Sequence, residues 1–590
     1  MKRSEVKRQY TWDLESIFAT DEDWEKEFKD VSAHAGDVAA YAGKLGDRNL
    51  LKECYDKADA VSLRLEKLYS YAHMRADQNT ADGKYIAMRD RCFQLIMGFQ
   101  AAAAYISPEL SAQSEEYLDS LISDPSFAAY DYQIKELKRS KRHVLSDKEE
   151  KLLAMAAVPL ESFSEIFGQV DNVDVKLGSI RVNGKKEKLT HGRYSFFLQN
   201  KDQNVRRAAF RTYYKGYIDL INTITATYAG NVKKDNFIAR ARGFKSCMQM
   251  KMFNENVPEK VYDNLLKAVH KNFGTMHEYV ALRKKVLGVD TLNMYDMYVP
   301  ITSAELSVDF EEAFKMVKTG LKPLGEEYAG MLQRAYDERW MDVYETENKR
   351  SGAYSGGCFG TKPFVLLNYS ATVHDIFTIA HELGHSMHTY YSNHTQPYAK
   401  ANYEIFVAEV ASTVNEVLLL KDMLAKAKDK ELKKFLLSYY LDMFRTTLFR
   451  QTMFAEFEKI AHEMDDKGEA LTPDALNKTY YKLNKKYYGK AVKHNKEIAY
   501  EWARIPHFYT SFYVYKYATG ITSAISIAKN ILTVPGYFDQ YKKFLSAGGS
   551  DSPYEILKLT GVDLCTQKPF EDAMEEMSAT LKELEAMSED

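Results

Sequence analysis

Apolar residues recur every three or four positions through long stretches of the chain, and this spacing predicts a mainly helical protein. Thr372 and Asp375 form a capping box that predicts the start of one helix, and Asn393 and Pro397 mark its end. Its apolar positions are Ile376, Phe377, Ile379, Ala380, Leu383 and Met387. The run 403–420 predicts a second, buried helix. Glycine and proline, at 29 and 13 of 590 residues, are scarce enough to agree with a helical fold.

Two short segments depart from the helical pattern. Asn183-Gly184, between two strand-like runs, predicts a β-hairpin. Residues 358–369 have the composition of a strand and directly precede the predicted helix. A strand edge at this place would pair with an extended peptide through main-chain hydrogen bonds.

The first of these helices carries His381-Glu382-Leu383-Gly384-His385. Residues four apart share a helical face, about 6 Å apart along the axis, so both imidazoles can reach one metal ion. Glu382 points elsewhere and can act as a general base and then a general acid. His374 and His388 lie about 10 Å from His381 along the axis, which favours wall residues over ligands.

A third ligand is expected from the second helix, which contains three glutamates in apolar surroundings. We choose Glu409, which is flanked by small residues. Glu416, seven residues later, shares its face, and either Glu416 or the hydroxyls of Ser412 and Thr413 could orient an imidazole. Spacing alone leaves Glu404 open as the ligand.

These motifs resemble the oligoendopeptidase F group of the thimet-oligopeptidase-like zinc metallopeptidases. The resemblance rests on H-E-L-G-H-S-M-H, F-V-A-E-V-A-S-T-V-N-E, R-V-N-G-K-K-E-K-L-T-H-G-R-Y, G-A-Y-S-G-G-C-F-G and I-P-H-F-Y-T-S-F-Y-V-Y-K-Y-A-T-G. It implies a two-lobed helical zincin-type fold with a small β element beside the active-site helix and a deep cleft that admits short peptides.

The same resemblance implies the site. One zinc ion per chain would be held by His381, His385 and Glu409. A histidine and a tyrosine of the last motif would contact the substrate; these are His507 and, as our choice among Tyr509, Tyr513, Tyr515 and Tyr517, Tyr515. We therefore expect a zinc-dependent endopeptidase that hydrolyses internal bonds of short peptides, with Glu382 as its base.

Length, charge, apolar runs and cysteine content predict the domain organisation, the partners and the location of the protein. We expect a helical N-terminal lobe with the hairpin at 1–200 and a catalytic domain at 201–590. The net charge is −3 without a basic stripe, which argues against a nucleic-acid partner. No apolar run approaches a membrane span, the first residues lack a signal-peptide core, and five scattered cysteines indicate reduced thiols. A cytoplasmic enzyme without a membrane partner is expected; the oligomeric state and the preferred peptide sequence are not indicated.

Three other interpretations compete with the endopeptidase. The same ligands serve zinc exopeptidases of the carboxypeptidase or dipeptidase type, which capture a peptide terminus. A catalytically silent helical binding protein with structural zinc would favour four protein ligands, often cysteines, and these cysteines lack that spacing. A cysteine hydrolase is suggested by Gly356-Gly357-Cys358-Phe359-Gly360, but there a strand follows the motif where a helix is required, so we expect Cys358 to be a buried small residue.

Overall fold

The computed structural model describes residues 1–302 and 306–588. The mainly helical fold predicted from the sequence is confirmed. The α-helices are α1 Asp21–His34, α2 Arg48–Gln78, α3 Gly83–Ala103, α4 Ile106–Ser111, α5 Glu115–Ile122, α6 Asp131–Ser140, α7 Asp147–Gln169, α8 His191–Leu198, α9 Gln203–Asp219, α10 Ile221–Ala241, α11 Cys247–Asn254, α12 Glu259–Lys271, α13 Phe273–Leu287, α14 Phe310–Gly320, α15 Gly325–Asp337, α16 Val373–Thr395, α17 Tyr398–Ala401, α18 Ile405–Lys426, α19 Lys430–Met443, α20 Arg450–Asp466, α21 Pro473–Tyr488, α22 Tyr515–Thr533, α23 Tyr537–Leu545, α24 Pro553–Lys558 and α25 Lys568–Ser588.

The strands are few and short. They are β1 Ser179–Val182, β2 Lys185–Lys188, β3 Leu292–Asn293, β4 Met341–Tyr344, β5 Tyr354–Gly356, β6 Phe364–Tyr369 and β7 Val492–Lys493. None of the helices in the described part of the chain is both long and apolar enough to cross a membrane.

The chain forms two compact units, each built from separate stretches of sequence. The first unit comprises Met1–Arg142, Glu305–Met423 and Ile527–Val562, and the second comprises His143–Ala304, Leu424–Ser526 and Asp563–Asp590. The boundary expected near residue 200 stays a prediction.

The first unit has a core of buried residues from its N-terminal helices. Trp24 is fully buried in α1, and its indole N–H donates to the carbonyl of Leu68 in α2 at 2.9 Å. The same core includes Phe364 and Leu366 of β6, which thereby attach the sheet of this unit to the N-terminal helices.

That sheet has the order β4-β6-β5, with β4 parallel and β5 antiparallel to β6. The predicted strand within 358–369 is confirmed as β6, but β6 is the central strand, so both of its edges are paired. The expectation that this segment offers a free edge was wrong. The edge strand that packs against α16 is β5.

The second unit contains the predicted hairpin. β1 and β2 pair antiparallel from Ser179↔Lys188 to Val182↔Lys185. Asn183 and Gly184 between them both have positive φ, 49° and 80°, as a type I′ turn requires. The hairpin prediction from Asn183-Gly184 is confirmed.

Candidate active site

Helix α16 begins at the capping box predicted from the sequence. The Asp375 N–H donates to the Thr372 hydroxyl at 3.2 Å, and the Thr372 N–H donates to the Asp375 carboxylate at 2.9 Å. These two bonds satisfy N–H groups that the first helical turn leaves free. The apolar face of α16 is buried, and the polar motif residues His381, Glu382 and His385 follow two turns later.

Gly384 allows α16 and α18 to pack with their backbones almost in contact. A Cβ atom at position 384 would lie 2.6 Å from the Cα of Ser412 and 2.9 Å from the carbonyl oxygen of Ala411, both in the backbone of α18. Asn415 of α18 also donates from its side chain to the carbonyl of Ala380 at 3.0 Å. The close crossing brings glutamates of α18 to the histidines of α16.

Three donor atoms converge at this crossing. The Nε2 atoms of His381 and His385 lie 3.2 Å apart, and Nε2 of His381 lies 3.7 Å from Oε2 of Glu409. The ligand atoms of all three residues lie within 4.8 Å of one another. Two ligands of one tetrahedral zinc ion are separated by about 3.4 Å, which follows from metal–ligand distances near 2.1 Å. The three residues therefore fit a single metal ion.

The other candidates of the motif region do not join this group. His374 is exposed, while His388 is fully buried with its ring stacked on Tyr403 at a centroid distance of 3.6 Å. Glu404 is exposed and precedes the first residue of α18, where its carbonyl accepts the N–H groups of Val407 and Ala408. Of the two glutamates left open from spacing, the structure places Glu409 beside the histidines.

Glu416 orients His381, as its position on the same face of α18 suggested. Its Oε1 accepts the Nδ1–H of His381 at 2.6 Å, so in the neutral ring the lone pair of His381 lies on Nε2, facing the other ligands. Burial lowers the pKa of His381, but the hydrogen bond and charge of Glu416, with Glu382 and Glu409, outweigh burial and raise that pKa to about 9. In the metal-free protein this imidazole is a cation at neutral pH, and a metal ion would replace its proton.

His385 is neutral under the same conditions. Burial, together with the positive charge of His381, lowers the pKa of His385 to about 3. A neutral imidazole is the form that binds metal, so His385 needs no deprotonation.

Glu382 has the burial and pKa of a proton carrier. Glu382 is only 8% exposed. Burial raises the pKa of its carboxyl group from 4.5 to about 7, with a smaller contribution from the charges of Glu409 and Glu416. The backbone amide of Ser355 in β5 lies close enough to this carboxylate to lower its pKa in part. A pKa near neutrality suits a group that must first accept and then release a proton.

The edge strand β5 is joined to α16 by a second contact as well. The hydroxyls of Ser355 and Ser386 lie 2.8 Å apart, and the Ser386 hydroxyl also contacts the carbonyl of Glu382 at 2.9 Å. The residues from Ser355 to Phe359 line a cavity of about 400 Å³ together with residues of α2 and Tyr403. Neither serine was identified as a site residue from the sequence, although Ser355 lies in G-A-Y-S-G-G-C-F-G and Ser386 in H-E-L-G-H-S-M-H. Cys358 beside them is buried, as expected.

The residues expected to contact the substrate from the last motif lie in the second unit. Tyr515 is completely buried, and its hydroxyl donates to Glu255 at 3.0 Å, so in this conformation the hydroxyl is not free for a substrate. The exposed His507 instead lies among Tyr513, whose ring is stacked on it at 6.0 Å, and Tyr517, whose hydroxyl is 3.5 Å from Nε2. The geometry argues against the choice of Tyr515 and favours one of its neighbours.

Comparison with known proteins identifies relatives along the whole chain. The family model of peptidase family M3 matches residues 196–576, and an oligopeptidase F model matches residues 109–176. Oligopeptidase PepF of Bacillus subtilis is 44% identical over 590 residues, covering 99% of this chain and 88% of the relative. An oligoendopeptidase F homolog of Lactococcus lactis is 40% identical over 594 residues, covering 100% and 98%.

Solved structures are similar over almost the full length. A crystal structure described as that of a peptidase from Chlamydophila abortus has a TM-score of 0.94 and 34% identity, covering 99% of each chain. The crystal structure of oligoendopeptidase-F from Enterococcus faecium has a TM-score of 0.74 and 33% identity, covering 96% of this chain and 99% of that one.

Proposed function

The chain belongs to peptidase family M3 and is a metalloendopeptidase that acts on short peptides, and from this premise we propose that its metal is one zinc ion held by His381, His385 and Glu409. The observation that carries the proposal is the convergence of these three donor atoms within 4.8 Å at the crossing of α16 and α18. Two imidazoles and one carboxylate form a donor set typical of catalytic zinc, which keeps a fourth position for water or substrate. Zinc bound at this position would polarise the peptide carbonyl and make water acidic enough to react at neutral pH.

Glu382 is the proposed proton carrier. Its carboxylate accepts a proton from the attacking water and delivers it to the amine of the departing peptide. The environment that raises the pKa of Glu382 to about 7 allows it to hold that proton between the two steps.

The other residues of the site position these groups. Glu416 fixes the tautomer of His381 through its 2.6 Å hydrogen bond. The free edge of β5 is suited to bind an extended peptide by main-chain hydrogen bonds, a mode of binding with little dependence on side chains. Ser355 belongs to this edge and is also linked to Glu382 through the hydroxyl of Ser386.

We further propose that His507 and one tyrosine bind the substrate carbonyl or the oxyanion that forms from it. The proposal rests on the family resemblance of the motif and on the exposure of His507. Burial, with a contribution from the charge of Arg450, lowers the pKa of His507, so it is a neutral hydrogen-bond donor at neutral pH. Of the tyrosines beside it, Tyr517 is our choice because its hydroxyl faces the imidazole.

We also propose the extent of the catalytic domain and the cellular location of the protein. The catalytic chemistry is assigned to 201–590, which is supported by the match of the M3 family model to residues 196–576. A cytoplasmic location is proposed as well, and it rests on the reduced state expected of the five cysteines.

The decisive experiment compares wild type with Glu382→Gln on peptides that are blocked at both ends. Mass spectrometry should show internal cleavage by wild type, and Glu382→Gln should keep its zinc while kcat/KM falls by at least about 100-fold. Retention of most of the activity, or loss of zinc together with activity, would contradict the proposed role of Glu382.

The same variant tests the buried carboxyl in the metal-free protein. The pKa of Glu382 is about 7 in the folded protein, against an ordinary value of 4.5. The protonated carboxyl group therefore makes its full contribution to the free energy of unfolding below pH 4.5. That contribution is lost as the pH rises through about 7. Urea unfolding of the metal-free proteins should therefore show a weaker decline of stability over this pH range in Glu382→Gln than in wild type.

A further inference from the structure

A second group of metal-ligand side chains lies in the second compact unit. It consists of Asp235 in α10, Cys247 in α11 and His462 in α20, whose ligand atoms all lie within 4.8 Å of one another. These residues are 3%, 0% and 3% exposed, so the group is closed to solvent. Two consecutive helices, α10 and α11, and the distant helix α20 thus bring a carboxylate, a thiol and an imidazole to one buried point.

The imidazole of His462 is oriented as in a metal ligand. Its Nδ1–H donates to the carbonyl of Glu458 at 2.9 Å, which leaves the lone pair on Nε2. That Nε2 is buried and has no hydrogen-bond partner among the described residues. It lies 3.7 Å from Oδ2 of Asp235, which is longer than a hydrogen bond and close to the roughly 3.4 Å between two ligands of one ion.

The other two ligands are also supported by their neighbours. Oδ2 of Asp235 accepts the hydroxyl of Ser511, and the side-chain amide of Asn231 lies 3.4 Å away. Carboxylate ligands of metal ions are commonly held by such outer hydrogen bonds. Burial raises the pKa of the Cys247 thiol, whereas a bound cation and the position of Cys247 as the first residue of α11, where the helix dipole favours a thiolate, act in the opposite direction.

A further buried carboxyl group lies on α20, close enough to His462 and Asp235 for their charges to shift its pKa. Glu458, one turn before His462, is 1% exposed, and its Oε1 accepts the N–H of Phe512 at 2.8 Å. Its Oε2 is buried without a hydrogen-bond partner in the described part of the chain. A buried carboxylate oxygen left in this state is costly unless it binds a proton or a cation.

We propose that Asp235, Cys247 and His462 form a second metal site that binds one divalent ion of the zinc type, with a structural role. A thiolate, an imidazole and a carboxylate together select zinc over calcium or magnesium, which prefer oxygen ligands alone. Since the ligands are buried, the ion is enclosed as the chain folds and links α10, α11 and α20. The metal-free alternative is an ion pair between a protonated His462 and Asp235, beside an uncharged thiol.

The test removes the metal of the active site and asks whether a second metal remains. In the double variant His381→Ala/His385→Ala, purified with zinc in the medium and then desalted, elemental analysis should still find about one zinc per chain, against about two in wild type. Adding Cys247→Ser to this background should remove the remaining zinc. Cys92→Ser is the matched control, because Cys92 is also fully buried but lies in α3, in the other unit.

A spectroscopic measurement checks the ligand directly. When Co²⁺ replaces zinc in the double variant, a thiolate-to-cobalt charge-transfer band should appear. The band should be retained with Cys92→Ser and absent with Cys247→Ser. Circular dichroism establishes that each variant is folded.

Three results would overturn the proposal. These are a folded double variant without bound zinc, a cobalt spectrum without the thiolate band, and equal zinc content in the presence and absence of Cys247→Ser. The zinc content of the double variant is measured with Cys247 intact, so this result tests the second metal site even if Cys247→Ser does not fold. The active-site zinc is measured separately in wild type, so failure here leaves the peptidase assignment unaffected.

Discussion

Replacing Gly384 by alanine should separate the two helices that hold the metal ligands. The added Cβ would lie 2.6 Å from Cα of Ser412, whereas ordinary contacts of a Cβ atom are 3.4–4 Å. The three nearest atoms all belong to the backbone of α18, so no side chain can move aside to make room. The helices must therefore move apart by about 1 Å at this crossing.

The size of the effect follows from that displacement. Overpacking of a well-packed crossing costs about 1–3 kcal/mol. Zinc–ligand distances tolerate only about 0.2 Å, so a shift of Glu409 away from the histidines is several times larger than the site accepts. If the overpacking cost is expressed in metal binding, the zinc Kd rises by about 5- to 150-fold.

The assay is competition with a chelator for zinc, with the melting temperature measured on the metal-free protein. Gly330→Ala is the matched control, because Gly330 lies in helix α15 and a Cβ there meets nothing within 4 Å. Gly330→Ala should leave the zinc Kd unchanged and stabilise the fold by up to about 1 kcal/mol. A Gly384→Ala protein with wild-type zinc affinity and melting temperature would refute the argument that this glycine positions the site.

Two further predictions concern the residues chosen for the site. Glu409→Ala should abolish tight zinc binding, while Glu404→Ala should keep it because Glu404 is exposed and precedes α18; the opposite order of these two variants would assign the third ligand to Glu404. Glu416→Gln should weaken zinc binding by about 10- to 100-fold, because Glu416 is the hydrogen-bond partner of His381. Tyr517→Phe should lower kcat and kcat/KM together by about 10²- to 10³-fold with zinc retained. Tyr515→Phe should mainly lower the stability of the fold, through loss of its hydrogen bond to Glu255. A large catalytic loss in Tyr515→Phe alone would instead assign the substrate contact to Tyr515.

Local signals in the sequence were sufficient for α16 and for the hairpin. The capping box at Thr372 and the φ preferences of Asn183-Gly184 act within a few residues, so their outcome does not depend on the rest of the fold. The sequence was also sufficient to predict that His381, Glu409 and Glu416 lie close together, for a related reason. Helix geometry fixes which residues share a face, and buried carboxylates require partners.

The details that the sequence did not reveal depend on contacts between distant segments. The order β4-β6-β5 brings together strands from 341 to 369, and the composition of β6 does not show whether it is central or at an edge. Tyr515 and Tyr517 differ in burial because both lie in the first turn of α22, where residues two apart point about 200° away from each other, and the start of this helix follows a turn in which Phe512 has a positive φ of 60°. Neither the position of that turn nor the partner Glu255 is visible in the local pattern.

The hydrogen bonds of Ser355 connect the proposed peptide-binding edge with the residue that moves the proton. Its hydroxyl contacts that of Ser386, whose hydroxyl in turn donates to the Glu382 carbonyl, and its backbone amide lies close enough to the Glu382 carboxylate to lower its pKa. A peptide bound along β5 as proposed would therefore be held in a fixed position relative to the base by the enzyme's own main chain. The position of the cut would be measured from the peptide backbone and not from a recognised side chain, which allows one enzyme to degrade peptides of many sequences with the same precision.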